Sequence, residues 1–168
     1  ARSAARSPDG KWEVLVKGHN LFLRPTPGSA AEERQLTFDA NPASSYLLDA
    51  TRDRLVGMNY DKPDPEDSLP DVVWAPDSRH FVAMRTRAGG ARQVYLVESS
   101  PRDQLQPKLS SYPYLKPGDE IPISKPRLFS LEGFRETPLD DGLFPNPWSI
   151  DGIRWAKAPS SMALRADD

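Results

Sequence analysis

The sequence predicts an all-β protein built from short antiparallel strands, and three observations support this fold class. Its 18 prolines in 168 residues are about twice the usual share, and proline disfavours long helices. Short apolar or alternating runs are separated by turn sequences rich in Pro, Asp and Gly, a pattern typical of strands joined by hairpins. The same succession of turn and strand also recurs along the chain. These features indicate repeated meanders rather than one continuous sheet.

The clearest meander is predicted at 71–98, where three strand-like runs follow one another. A Pro-Asp turn separates the first run, 72–74, from the second run, 80–85. Gly89 and Gly90 suit the positive φ of a two-residue hairpin. The run 92–97 alternates polar and apolar residues, as a half-buried strand does. We therefore expect 92–97 to pair with 80–85.

The chain opens with the same order of elements. Residues 7–16 align with 75–84 without a gap, so that two Pro-Asp turns coincide. A third, diverged copy occurs at 153–164, where Trp155 matches Trp74. Repeated meanders of about four strands, arranged radially, form the blades of β-propellers. The sequence therefore predicts a partial β-propeller of about two to three blades, with these tryptophans packing between blades.

The whole chain, 1–168, is interpreted as part of one β-propeller domain with two long, proline-rich insertions. Strands are predicted at 12–16, 21–24 and 33–37. A hairpin within 127–137 is predicted to complete the second blade. The predicted boundaries are blade one at about 7–40, an insertion at 41–70, blade two at about 71–139 with a second insertion at 99–126, and the start of blade three at about 150–168.

Composition disfavours several function classes. The formal net charge is −2 and no dense basic block is present, which disfavours nucleic-acid binding. No run approaches the ~18 apolar residues that a membrane span requires, and the absence of cysteine rules out disulfides and thiol catalysis. We expect a soluble protein, with no signal peptide in this chain and its compartment left open. Because the sequence opens on Ala1, we interpret it as a piece of a longer protein.

No catalytic residue, metal site or cofactor is predicted. The Gly-x-Ser-x-Gly elbow of serine hydrolases is absent from the sequence. His19 and His80 occur in or beside predicted turns, and we interpret them as turn or strand-edge residues. The acidic stretch 61–67 lacks the glycine and the spaced oxygens of a calcium loop, so we interpret it as a solvated loop.

A few side chains are candidates for binding. Glu66 and Asp67 are adjacent carboxylates, which suit an ammonium group. Tyr112 and Tyr114 flank a proline in the second insertion, where they either face a ligand or cover a blade edge. Trp148 follows a rigid Pro-Asn-Pro segment, and we predict that it contacts a neighbouring domain.

An ordered set of segments resembles a known family. The segments are SPDGKW, NLFLR, EERQLT, VVWAPDSRHFVAMR, VYLVES and YPYLKPGDEIP. They resemble the N-terminal β-propeller of dipeptidyl peptidase IV-type proteins, which belong to the prolyl oligopeptidase family of serine peptidases. The resemblance covers about 7–164. It implies a parent with a propeller of about eight blades, followed by an α/β-hydrolase domain that would be the partner of this chain and would act on peptide substrates.

One motif of that family is missing where the resemblance leads us to expect it. In dipeptidyl peptidases of the family, a Glu pair in an Asp-Trp-Val-Tyr-Glu-Glu-Glu-like motif binds the α-amine of the substrate. The matching interval, 41–70, contains Glu66 and Asp67 without that context, and the pair Glu32-Glu33 lies in the wrong segment. We therefore do not carry dipeptide release over to this chain.

The sequence leads to one main functional hypothesis and two alternatives. The main hypothesis is a non-catalytic propeller portion of a larger serine peptidase, which gates or shapes substrate access. The alternatives are a stand-alone β module that binds a protein or peptide by strand addition, and a secreted binding protein with a cleft formed by the Tyr112 and Tyr114 loop. Because open blade edges leave backbone groups unpaired, we also expect self-association.

Overall fold

The computed structural model describes residues 6–27, 31–47, 70–90, 92–147, 149–156 and 162–167. Within these ranges the chain forms antiparallel β-sheets and one short 3-10 helix, Asp141–Leu143, which confirms the predicted all-β class. The strands are β1 (Trp12–Lys17), β2 (Asn20–Pro25), β3 (Arg34–Gln35), β4 (Ser44–Ser45), β5 (Val72–Trp74), β6 (His80–Arg87), β7 (Gln93–Glu98), β8 (Lys108–Pro113), β9 (Ile123–Ser130), β10 (Arg135–Thr137), β11 (Ser149–Trp155) and β12 (Met162–Asp167).

The described residues fall into two compact units. The hairpin unit comprises Gly89, Gly90 and 92–122, and it contains β7 and β8. The sheet unit comprises the other described residues and the other strands. The main cluster of buried apolar side chains belongs to the sheet unit and consists of Val14, Val16, Leu21, Leu23, Tyr46, Val72, Phe81, Ala83 and Phe129.

Strands β1, β2 and β3 form an antiparallel sheet near the start of the chain, where strands were predicted. Gly18 and His19 connect β1 to β2 with φ values of 53° and 70°, a backbone conformation that glycine adopts readily. Because strand side chains alternate between faces, alternate positions of both strands reach the core. The positions that enter the core cluster are Val14, Val16, Leu21 and Leu23.

Strands β5, β6, β9 and β10 form a second antiparallel sheet, in which β4 also pairs with the end of β6. The pairing of β6 with β9 runs from His80 opposite Ser130 to Arg87 opposite Ile123. At its buried end, the rings of Phe81 and Phe129 are stacked 5.1 Å apart. Pairing of β10 with β9 confirms the hairpin predicted within 127–137.

The predicted pairing of 92–97 with 80–85 is wrong, because β6 pairs with β9 and β7 pairs with β8. β9 supplies an apolar partner that is buried against β6, whereas the side chains of β7 are largely exposed. Gly89 does not adopt positive φ. A Cβ at this position would lie 2.6 Å from the carbonyl oxygen of Glu120. The glycine therefore permits close approach of two backbone segments of the hairpin unit rather than a two-residue turn.

The two aligned Pro-Asp turns contain equivalent hydrogen bonds. A backbone bond of 2.8 Å closes each turn. The Asp9 carboxylate accepts a hydrogen bond from the backbone N–H of Lys11 at 3.1 Å, and Asp77 accepts from Arg79 at 2.8 Å. The backbone N–H of Asp9 also donates to the Ser78 hydroxyl at 3.0 Å. The repeat found in the sequence is therefore also a repeat of turn geometry, and its two copies are in contact.

The third repeat copy contributes a separate hairpin, in which β11 pairs with β12. The indole Nε1–H of Trp155 donates to the backbone carbonyl of Val73 over 3.4 Å. This bond links the last hairpin to β5, as expected for a tryptophan that packs between neighbouring sheets.

Candidate binding cleft

A cleft of about 460 Å³ opens in the sheet unit. Paired positions of antiparallel strands project from the same face of a sheet, so β6 and β9 supply most of its wall. The remaining lining comes from β4, from the 3-10 helix and from the loop after it. The lining residues are Ser44, Arg85, Arg87, Ile123, Lys125, Arg127, Asp141, Pro145 and Asn146.

The Arg85 guanidinium is fixed by several partners beside the cleft. Its Nη1 donates to the Asp39 carboxylate at 2.8 Å, and its Nε donates to the Ser44 hydroxyl at 2.8 Å. The guanidinium also lies over the Tyr46 ring, 5.4 Å from the centroid, within the range of a cation–π contact. The hydrogen bond from Arg85 lowers the pKa of Asp39, so this pair remains ionised. Arg85 therefore has a fixed orientation and a compensated charge.

Arg127 is held by the 3-10 helix. Its two terminal nitrogens donate to the two carboxylate oxygens of Asp141 at 2.9 and 3.0 Å. The Asp140 side chain caps the same helix by accepting from the backbone N–H of Gly142 at 2.8 Å. The Arg127 hydrogen bonds lower the pKa of Asp141, and they raise the pKa of Arg127. This bidentate geometry is the strong form of an Arg–carboxylate pair.

Two further cations line the cleft with weaker compensation. The ammonium of Lys125 lies 3.9 Å from Asp141, a carboxylate already engaged by Arg127, and the Lys125 side chain is only 21% exposed. Arg87 is exposed and has no ion pair with the other described residues. Among the residues that the structure describes, the lining thus contains four basic residues and one acidic residue.

Two carboxylates outside the lining reduce this excess. Asp39 pairs with Arg85, and Glu136 lies 3.7 Å from Arg127. Burial raises the pKa of Glu136, which favours its neutral form relative to an exposed glutamate. Even with both counted as charged, the balance is 4 − 3 = +1. The cleft is therefore electropositive.

Of the candidate residues from the sequence, the structure describes Tyr112 and Tyr114, and neither is among the described residues that line this cleft. Tyr112 and Tyr114 belong to the hairpin unit, where their rings make an edge contact with centroids 6.4 Å apart. Glu66, Asp67 and Trp148 lie outside the described residues, so their roles stay predictions. Among the residues that the structure describes, there is no cluster of three or more metal-ligating side chains. No helix in this part of the chain is long and apolar enough to cross a membrane.

Sequence reasoning missed the cleft, although the chain contains a signal for it. Arg85 and Arg87 are separated by one residue, as are Lys125 and Arg127. This spacing places each pair on one face of a strand. The two basic pairs come together only when β6 pairs with β9, whereas the predicted partner of β6 was 92–97. The wrong pairing therefore concealed the site.

Comparison with known proteins gives three findings. The sequence model of the family described as "Dipeptidyl peptidase IV (DPP IV) N-terminal region" matches residues 1–166. The crystal structure of Porphyromonas gingivalis dipeptidyl peptidase 4 is similar, with a TM-score of 0.61 at 16% sequence identity, over 96% of this chain. This chain corresponds to 21% of the length of that structure. No curated protein sequence matches the chain.

The structural similarity covers almost all of the chain and confirms the partial β-propeller fold. A sequence identity of 16% supports a shared fold and nothing further. The family match confirms the resemblance seen in the sequence. It covers residues 1–166, a slightly longer range than the 7–164 over which the resemblance was seen. The chain therefore belongs to the dipeptidyl peptidase IV N-terminal region family.

Proposed function

We propose that the chain is the non-catalytic propeller portion of a larger serine peptidase, in which it gates or shapes the access of peptide substrates to a C-terminal α/β-hydrolase domain. The observation that carries the proposal is the family match over 1–166. The similar solved structure is a peptidase of which this chain corresponds to 21%. That proportion leaves room in a parent of similar length for the rest of a propeller and for a hydrolase domain.

The absence of a nucleophile motif supports a non-catalytic role. The strained turn that exposes the serine of an α/β-hydrolase needs glycines on both sides, and the sequence contains no Gly-x-Ser-x-Gly segment. We propose that the nucleophile lies elsewhere in the parent and that this chain acts on substrates only through contact and exclusion.

Strand pairing suggests how the blades are divided. We propose that β5, β6, β9 and β10 are the four strands of the second blade, since they pair consecutively in space. The hairpin unit would then be an insertion between the second and third strands of that blade. The β1–β2–β3 sheet and the β11–β12 hairpin would belong to the blades on either side.

The gating proposal is tested on the full-length protein with peptides of increasing length, each with a free and with a blocked amine. We expect cleavage to fall sharply beyond a limiting length, because a propeller admits only substrates that fit its opening. The control is the same protein with its hydrolase serine replaced by alanine, which should cleave none of the peptides. Equal cleavage of short peptides and folded proteins would contradict gating, and hydrolysis by residues 1–168 alone would contradict the non-catalytic role.

A second candidate function is a protein- or peptide-binding β module. It is favoured by the hairpin unit, in which β7 and β8 pair only with each other among the described strands. Tyr95, Val97 and Leu109 of this hairpin are exposed. An open strand edge beside apolar side chains is suited to strand addition. If the full-length protein shows no peptidase activity but binds extended peptides, this function replaces the first.

A further inference from the structure

We propose that the cleft of the sheet unit is a binding site for the carboxylate group of a peptide, supplied either by an acidic side chain or by a free C-terminus. The inference goes beyond gating and does not depend on it, because the residues that carry it belong to the cleft itself. Four observations lead to it: the donor groups, the occupied acceptor, the fixed cations and the charge balance.

Among the described lining residues, free hydrogen-bond donors outnumber free side-chain acceptors, and the amide of Asn146 supplies one group of each kind. The guanidinium of Arg87 has no ion pair with another described residue, and the ammonium of Lys125 has only the 3.9 Å contact with Asp141. The Ser44 oxygen accepts from Arg85, which leaves its O–H proton free to donate. Both oxygens of Asp141, the one carboxylate among the described lining residues, already accept from Arg127. A ligand rich in acceptors is therefore favoured over one rich in donors.

The surrounding cations are positioned before any ligand arrives. Arg85 is held by Asp39 and Ser44, and Arg127 is held by Asp141. Groups that are already ordered lose less conformational freedom on binding. Ile123 and Pro145 add apolar surface to the same wall, which suits the aliphatic part of an amino acid next to its carboxylate.

The charge balance and the geometry favour a carboxylate over a phosphate. When Asp39 and Glu136 are counted with the lining residues, the net charge of the cleft is 4 − 3 = +1. One carboxylate neutralises this charge. The planar fork of Arg87 matches the two oxygens of a carboxylate. A phosphate would bring a charge of about −1.5 to −2, which exceeds the balance of +1 that holds when both Asp39 and Glu136 are ionised.

The test is calorimetric titration of the full-length protein at low ionic strength with four probes. Acetyl-Gly-Asp-Gly-amide carries a side-chain carboxylate, and acetyl-Gly-Gly-Gly carries a C-terminal one. Acetyl-Gly-Asn-Gly-amide is the neutral peptide of matched size, and inorganic phosphate is the fourth probe. We expect at least one of the two carboxylate peptides to bind and the neutral peptide not to bind. Which carboxylate peptide binds more tightly then identifies the source of the group.

Substitutions assign the binding to the cleft. Arg87→Gln should weaken carboxylate binding by about tenfold or more, since it removes a charge-assisted bond. Arg87→Lys keeps the charge without the fork and should give a smaller loss. The matched control is Lys108→Gln, which removes one exposed charge on β8 and should leave binding unchanged. An amide NMR spectrum shows whether each variant keeps the fold, and Arg87 is exposed, so all are expected to fold.

Three results would overturn the proposal. The first is equal binding of the neutral peptide. The second is an equal effect of Arg87→Gln and Lys108→Gln. The third is failure of both carboxylate peptides to bind, and binding of phosphate in that case would make the cleft a phosphate site. None of these readouts involves cleavage, so they are separate from the outcome of the gating test.

Discussion

The sheet of β5, β6, β9 and β10 and the hairpin of β7 and β8 are both antiparallel, but they bury their side chains very differently. Phe81 and Phe129 are 0% and 1% exposed, whereas Tyr95 and Val97 are 66% and 65% exposed. A two-stranded hairpin with exposed faces is marginal by itself. Strand-like sequence therefore does not by itself create a core. Further strands that cover the same apolar positions are needed.

The largest expected difference between the two regions is in the cost of losing an aromatic ring. Phe81→Ala should lower the free energy of unfolding of the 168-residue chain by about 3–5 kcal/mol, because it leaves a cavity in a packed core. Tyr95→Ala should change it by less than about 0.5 kcal/mol, since an exposed ring leaves no cavity. Urea unfolding followed by tryptophan fluorescence measures both values.

Retention of stability in Phe81→Ala would show that the stacked pair with Phe129 is not part of the core that determines unfolding. A large loss in Tyr95→Ala would show instead that the exposed face of the hairpin is covered in solution. The second result would support the expected self-association, which light scattering would then detect.

The difference between the regions also explains which structural features could be predicted from the sequence. The Pro-Asp turns, the strands that follow them and the repeat were predictable, because turn chemistry and period-2 alternation act over a few residues. Asp9 and Asp77 occupy equivalent turns, as their alignment indicated. Local rules were sufficient for these features, and the family resemblance rested on the same segments.

Strand partners were not predictable in the same way. The runs 92–97 and 123–130 both form strands, and β6 pairs with the second, where Phe129 stacks on Phe81. The cleft follows from that choice, since it needs Arg85 and Arg87 beside Lys125 and Arg127. A site formed by residues that are distant in sequence could not be found until the long-range pairing was known.

An intermediate effect is expected where Gly89 permits close backbone approach. Gly89→Ala places a Cβ 2.6 Å from the carbonyl oxygen of Glu120, which the backbone must move to avoid. We expect a loss of about 1–3 kcal/mol in the stability of the hairpin unit, as for overpacking elsewhere. Amide hydrogen exchange of the β7 and β8 residues measures this loss.

The neighbouring glycine provides the matched control. A Cβ at Gly90 would meet its nearest atoms at 3.6 Å, an ordinary contact distance, and its φ is not positive. Gly90→Ala should therefore leave amide exchange in the hairpin unchanged or slightly slower, because it restricts the unfolded chain. If both variants behave alike, the glycines serve general flexibility and not close approach at Gly89.

The smallest effect concerns an ion pair at the surface of the hairpin unit. The guanidinium of Arg92 donates to both carboxylate oxygens of Asp119, over 2.6 and 2.7 Å. These bonds, together with one from the backbone N–H of Lys116, lower the pKa of Asp119 from 3.8 to about 2. Because the folded pKa lies below the unfolded one, the stabilising contribution is complete above about 3.8 and is lost as the pH falls through about 2.

Arg92→Gln should raise the pKa of Asp119 toward its ordinary value of 3.8, although not fully, because the Lys116 bond remains. A carbon-13 NMR titration of the aspartate carboxyl groups measures the shift. Arg24→Gln removes the same charge from the sheet unit, where Arg24 pairs with Glu13, and it should leave the Asp119 titration unchanged. The Arg92 side of the pair is half exposed, so global unfolding should respond little in either variant. An Asp119 that titrates near 3.8 in the unsubstituted chain would mean that the ion pair does not persist in solution. The polar contacts of the hairpin would then be less persistent than those of the sheet, just as its side chains are less buried.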